Sequence, residues 1–342
     1  MAKGGGFLNR AFLALLFACV VCAIVGGALA NYWYLGPYRG FETQTFVDVD
    51  RGMSSRQIAR TLAHQGVVRS EWAFLIVRAV HFRAPLQAGE YRFATAQTPW
   101  QVFDEIRRGE IFYEEVTVPE GSNVFDIAAI LDQLDMVKGH DFLKAASDPE
   151  TIRDLDPLAP DLEGYLFPST YRMTRRTTAR ALCVTMTNEF RKSWSSISNP
   201  ISGPELHELV TLASLVEKES AIPAERPMIA SVFLNRLRLK MPLQCDPTTV
   251  YAALLENRYR GVLHKSDLSS GNPYNTYTHT GLPPGPIANP GLSALKAALH
   301  PSSEQYLYFV AKPDGSGSHH FSQTLAEHDK AVEEYRQGGA AR

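Results

Sequence analysis

The sequence predicts an α+β protein carried on a single N-terminal transmembrane helix. Three features lead there. Residues 11–30 hold no charged side chain. A pattern of short strand, glycine turn and amphipathic helix occurs twice, 69 positions apart. From about Asp161 onward, apolar patterns at helical spacing alternate with proline-bounded motifs, as expected of a mixed helix-and-strand domain.

The apolar run comes first. About 20 apolar or small residues suffice to cross a hydrocarbon core as a helix, and 11–30 supply them. Lys3 and Arg10 precede the run, so the positive-inside tendency places residues 1–10 in the cytoplasm and the rest outside. Tyr32, Trp33, Tyr34 and Tyr38 are expected to form an aromatic collar, which gives an anchor over 11–34. A cleaved signal peptide is the alternative, since Ala28, Leu29 and Ala30 make an acceptable cleavage site. The run is longer than the usual signal core, which favours a retained anchor. Phe17 fits a lipidation box before Cys19 badly, and lipidation is not expected.

The repeated pattern comes next. Val47, Val49, Gly52, Ile58, Ala59 and Leu62 recur as Val116, Val118, Gly121, Ile127, Ala128 and Leu131, with Val68 matching Val137. Each copy reads as an alternating strand, a turn and an amphipathic helix. One small unit is placed at 43–94, and a second with its connection at 95–160. The larger domain is expected at 161–336. Within it, helices are predicted over 206–216, 228–239 and 326–336, a strand over 306–311, and a frayed tail at 337–342.

Composition narrows the partners. The formal charge is −2, with no dense run of Lys or Arg, which argues against nucleic acid. Cys19 and Cys22 fall inside the span, leaving Cys183 and Cys245, whose pairing stays open. His319, His320 and His328 have no acidic or cysteine partner at a recognised spacing, so neither a metal nor a cofactor is expected.

The richest stretch for chemistry is 212–247. It ends one apolar helix pattern in Glu217 and Glu219 and begins another straight afterwards. A carboxylate in the last turn of a helix sits at the end of the dipole that disfavours anions, and burial there raises its pKa, which suits a general acid. Solvated glutamates paired with a nearby Lys or Arg are the bland alternative. The helical wheel leaves the two acids on opposite flanks of the apolar face and does not choose between them.

Other motifs come in a fixed order. EGYLFPSTY (163–171) offers Glu163 with Tyr165, Phe167 and Tyr171, read either as a sugar-stacking wall or as core aromatics. LQCDPTTVY (243–251) supplies Gln244, Asp246 and Thr248, where Asp246 serves equally well as a helix N-cap. YNTYTHTGLPPGPIANPG (274–291) carries Pro283, Pro284, Pro286 and Pro290 and can be neither a helix nor a central strand. It reads as a stiff rim with Asn275, Thr276, Tyr277 and Asn289 as contacts, or as a rigid loop alone. YLYFVAKPDGSGSHHF (306–321) closes the series.

In this series the sequence resembles the YceG-like family of endolytic murein transglycosylases, from the anchor to about Val332. The resemblance implies a YceG-like α+β catalytic domain that cleaves nascent peptidoglycan glycan strands between MurNAc and GlcNAc. It also implies 1,6-anhydro-MurNAc ends and terminated strand elongation. The family's acid/base is the second Glu of its Glu-Lys-Glu motif, here Glu219. Glu163, Tyr165, Gln244, Asp246, Thr248, Asn275, Tyr277, Asn289 and His319 are then expected to bind substrate, with Cys245 and Ser169 carrying no role. The unit at 43–94 would be LysM-like and bind glycan, or be a spacer. The expected place is the inner (cytoplasmic) membrane, single-pass, with the catalytic domain periplasmic and peptidoglycan synthases as partners. A muramidase-type hydrolase pairing Glu219 with Glu163 or Asp246, and a non-catalytic glycan-binding scaffold, are the competing functions.

Overall fold

The apolar run forms α1 (Gly5–Leu35), a helix about 46 Å long at 1.5 Å per residue, against about 30 Å for a hydrocarbon core. None of the side chains at 12–29 is buried. The computed structural model describes residues 5–134, 136–197 and 201–339, and the chain divides into two units, Met1–Tyr113 and Glu114–Arg342. The side chains of Trp33 and Tyr34 lie outside the described set, while Tyr32 is exposed. Tyr38 departs from the expected collar. Its backbone bridges Gln97 and the Arg69 guanidinium lies over its ring, so it belongs to the first globular unit.

In the first unit, β1 (Thr45–Val49) leads through α2 (Ser55–His64) and α3 (Glu71–Val80) to β2 (Gly89–Phe93), which returns antiparallel to β1. Helix α4 (Pro99–Arg108) comes after it. Ser54 with Gln57, and Thr98 with Gln101, form capping boxes that satisfy the free N–H groups opening α2 and α4. The core is Val47, Val49, Ile58, Leu62, Phe74, Tyr91 and Phe103 with their neighbours.

The second unit opens by repeating that order. Strand β3 (Glu114–Thr117), α5 (Val124–Leu134), α6 (Gly139–Ala146) and β4 (Thr170–Met173) give the same strand–helix–helix–strand arrangement, with β3 and β4 antiparallel. In both copies the central valine of the first strand faces a buried tyrosine of the second, Val47 opposite Tyr91 and Val116 opposite Tyr171. The turn glycines Gly52 and Gly121 have φ of +87° and +76°, which explains why glycine recurs there. The sequence predicts a domain boundary at 160/161. The ladder from 114–117 to 170–173 crosses that point, so the second repeat is stitched into the large domain and the compact unit begins at Glu114.

The remainder is largely helical: α7 (Ala179–Ser195), α8 (Pro204–Glu219), α9 (Arg226–Arg238), α10 (Asp246–Leu255) and α11 (Leu292–Leu299). The hairpin β5 (Tyr308–Ala311) and β6 (His319–Ser322) precedes α12 (Leu325–Gly339). Helix α8 is buried on every side from Leu209 to Val216, as a central helix must be, with α9, α10 and α11 packed on it. Residues 274–291 run without regular structure, as their prolines require.

Candidate active site

Glu219 is the last residue of α8, so its carboxylate stands where the helix presents unpaired carbonyls and the dipole opposes negative charge. Its side chain is half-buried, and burial raises its pKa above the usual carboxylate range. A hydrogen bond from Cys245 opposes that rise, Asp246 adds to it, and His319 and Arg236 reduce it. Cys245 Sγ donates to Glu219 Oε1 at 3.0 Å. Among the described residues Oε2 has no hydrogen-bond partner, and it is not sealed from solvent.

Glu217 differs. Burial raises its pKa too, so titration alone does not separate the two acids. Their partners do. Glu217 Oε1 meets the Arg226 guanidinium at 2.5 Å, and Glu217 Oε2 accepts from the Gly291 backbone N–H at 2.9 Å. Both oxygens are committed, and its side chain is only 4% exposed.

Around Glu219 the structure gathers side chains from four segments. Asp246 begins α10 and accepts a hydrogen bond from the Tyr277 hydroxyl at 2.5 Å. The cap position belongs to Cys245, so Asp246 is not the N-cap that the sequence left open. His319 opens β6, and both its backbone N–H and Nδ1 engage Glu225, at 3.0 and 2.8 Å. Arg236 of α9 donates to the carbonyls of Leu307 and Leu243 and lies over the Tyr308 ring. Gln244 is exposed beside this group with φ of +51°.

The other expected contacts are placed inside the domain, which corrects their reading as an accessible sugar-binding wall. Glu163 is 1% exposed, with Oε2 accepting from Val124 N–H and Oε1 from Asn289 Nδ2. Burial pushes its carboxyl up to about 8. Asn289 also donates to Ser122 O and accepts from Leu166 N–H. Tyr165 is buried against Phe190, with its hydroxyl on Asp156, which in turn meets His207 Nδ1. Thr248 Oγ1 pairs with Thr276 Oγ1 at 2.9 Å and bonds the Cys245 carbonyl at 2.6 Å. Asn275 donates to three carbonyls between 267 and 270 and accepts from Thr249. These buried polar groups are paired, as burial requires, and they fix the loop that carries Tyr277.

Cys245, Arg236 and Glu225 were not among the expected site residues. Cys245 is 2% exposed and free, as is Cys183, so no bridge joins them. No sequence spacing links Cys245 to Glu219. Arg236 lies in a helical pattern where any Arg reads as surface. Among the described residues no cluster of His, Cys, Asp and Glu is arranged to hold a metal ion.

The YceG-like family model matches residues 47–334. An endolytic murein transglycosylase of Bacillus subtilis strain 168 is 36% identical, over 91% of this chain and 91% of its own length. One from Streptococcus pneumoniae serotype 2 is 30% identical, over 84% of this chain and 58% of its own. A crystal structure of a yceG-like protein from Listeria monocytogenes superposes with a TM-score of 0.53 at 31% identity, covering 85% of this chain and 99% of that one.

Proposed function

Because the chain belongs to the YceG-like family, we propose that it is a membrane-anchored endolytic murein transglycosylase with Glu219 as its acid/base. The observation that carries this is the contrast between two neighbouring acids. Glu217 is held on both oxygens, whereas Glu219, with its pKa raised, keeps Oε2 free to meet a glycosidic oxygen.

The chemistry needs only one carboxyl. Protonated Glu219 gives its proton to the oxygen between MurNAc and GlcNAc as that bond breaks. The C6 hydroxyl of the same MurNAc attacks its C1, and the Glu219 carboxylate takes the C6 proton. No water is consumed, and the carboxyl returns to its starting state. A hydrolase would need a second acidic group to activate water or attack directly. Glu163 is unsuited, because its oxygens are bonded to Val124 and Asn289. Burial and Asp246 favour the protonated form of Glu219, and His319 and Arg236 favour the anionic form it passes through. Gln244, Asp246, Tyr277 and His319 contact the glycan, while Glu163, Tyr165, Thr248, Asn275 and Asn289 hold the walls.

The N-terminus is cytoplasmic and the two globular units lie outside the inner membrane, on the evidence of Lys3 and Arg10 ahead of one apolar helix. The strand–helix–helix–strand unit at 43–94 acts as a LysM-like module for GlcNAc-containing glycan, and peptidoglycan synthases are the partners that supply new strands.

The test is to incubate the full chain in detergent, and its Glu219→Gln variant, with uncrosslinked glycan strands and identify the ends by mass spectrometry. Anhydro-muramoyl ends from internal cuts, reduced at least about 100-fold in the variant, are expected. Reducing ends would replace this reading with a hydrolase. Binding without cutting by both proteins would replace it with a glycan-binding scaffold.

A further inference from the structure

Glu219 sits at a helix terminus with a single hydrogen-bond partner among the described residues, the Cys245 thiol. An unbranched carboxylate side chain in such a place has rotamer freedom to lose before it can act, and misorientation of the reacting group by even about 1 Å costs rate. The sulfur, by contrast, is fixed by its own backbone. Cys245 N–H donates to Thr276 Oγ1 at 3.0 Å, and its carbonyl accepts from Thr248 Oγ1 at 2.6 Å. These two threonines are themselves buried and bonded to each other. Gln244 ahead of it is in the left-handed region, and Pro247 two positions on is the second residue of α10, so both flanks are constrained.

We infer that Cys245 is a positioning residue for the Glu219 carboxyl, donating its S–H to Oε1 so that the acid proton resides on the open Oε2. This rests on the assignment of Glu219 as acid/base and adds the means by which its proton is aimed. A carboxyl whose Oε1 already receives a donor carries its own proton on the other oxygen, and here the other oxygen is the one without a partner. The thiol remains the donor, because burial and the adjacent carboxylate raise its pKa well above the usual thiol value.

The choice of sulfur has a chemical logic. A strong donor at this point would stabilise the carboxylate and weaken the acid, whereas S–H is a weak donor that orients while conceding little acidity. The other charged and titratable groups facing Glu219 are Asp246 at the start of α10, Tyr277 in the loop, His319 on β6 with Glu225 behind it, and Arg236 on α9. None of them hydrogen-bonds Glu219 in the structure, so none substitutes for the thiol in aiming it.

The experiment compares pH–rate profiles for anhydro-end formation by the full chain in detergent and by Cys245→Ala, Cys245→Val and Cys245→Ser, each checked for an unchanged circular dichroism spectrum. Alanine and valine remove the donor. They are expected to lower kcat about tenfold at unchanged KM and to move the alkaline limb up by about 0.5–1 pH unit, because the carboxylate loses a stabilising bond. Serine keeps a donor and is expected to retain kcat within about threefold, with the limb unchanged or lower. A structural role would give the reverse order, since a buried hydroxyl suits an apolar site worse than alanine or valine does. Profiles for alanine and valine that overlay the parent, or a serine variant as impaired as alanine, overturn the inference.

Titration of the Glu219 carboxyl carbon by NMR in the parent and in Cys245→Ala reads the contact without catalysis. An upward shift is expected, and no shift overturns it. Should Glu219→Gln remain active, the acid/base assignment fails, and this titration still decides whether the thiol holds the carboxyl.

Discussion

Two glutamates separated by one lysine have opposite fates because their oxygens meet different neighbours. Glu217 neutralises Arg226, whose guanidinium is buried and whose other acidic neighbour, Glu120, stands at 3.7 Å and is half exposed. Removing the charge of Glu217 strands that cation, and breaking one side of a buried pair costs about 3 kcal/mol. Glu217→Gln should therefore lower the melting midpoint by about 6–10 °C while the surviving folded protein keeps most of its lytic activity. Glu219→Gln should do the reverse, with activity lost and the midpoint equal or higher, because a carboxyl at a helix C-terminus opposes folding. Parallel melting and product assays on the two variants check this, and loss of activity in both at unchanged stability would contradict the division of roles.

Among the elements, α8 and the 274–291 loop define the site together. The helix is packed on every side up to Val216 and ends at Glu219, the proposed acid, which lies half-buried beyond the packed stretch. The loop has no regular secondary structure and is pinned by side chains together with backbone bonds to Ser122, Gly121 and Gln244. Asn289 bonds Glu163, Ser122 and Leu166, and the Pro284 carbonyl bonds His207 Nε2 on α8. Asn289→Ala would take a side-chain partner from Glu163 Oε1 and Leu166 N–H, while Ser122 O keeps the backbone N–H of position 289, at a cost of about 3 kcal/mol. The expected result is a melting midpoint about 6–10 °C lower, with residual activity reduced further as the rim loosens. Stability unchanged from the parent would show that the loop is held elsewhere.

At the scale of the whole molecule, one apolar helix precedes two compact units built on the same strand–helix–helix–strand theme. If α1 spans the bilayer, a charge at its middle should expel it, since an arginine at the centre of a membrane helix costs about 3 kcal/mol on insertion scales. Val20→Arg is therefore expected to move a large fraction of the protein from the membrane pellet to the supernatant after alkaline carbonate extraction. Full retention of the variant in the pellet would mean that other surfaces hold the protein there.

The elements themselves were legible from local pattern. The predicted helices 206–216 and 228–239 correspond to α8 (Pro204–Glu219) and α9 (Arg226–Arg238), and the strand 306–311 contains β5 (Tyr308–Ala311). The repeat was legible too, because the same small core demands the same valines, glycine and helix face in each copy. Spacing and composition act within a few turns of chain, so the sequence by itself determined the apolar N-terminal helix, the repeat, the main helices and the pair of acids that end α8. Only the tertiary structure decided which acid is free, because Arg226, Gly291 and Cys245 reach the two glutamates from distant or separately folded segments. It decided likewise that Glu163, Tyr165, Asn275 and Asn289 face inward, since hydrogen bonds spanning up to 167 positions leave no trace in local periodicity.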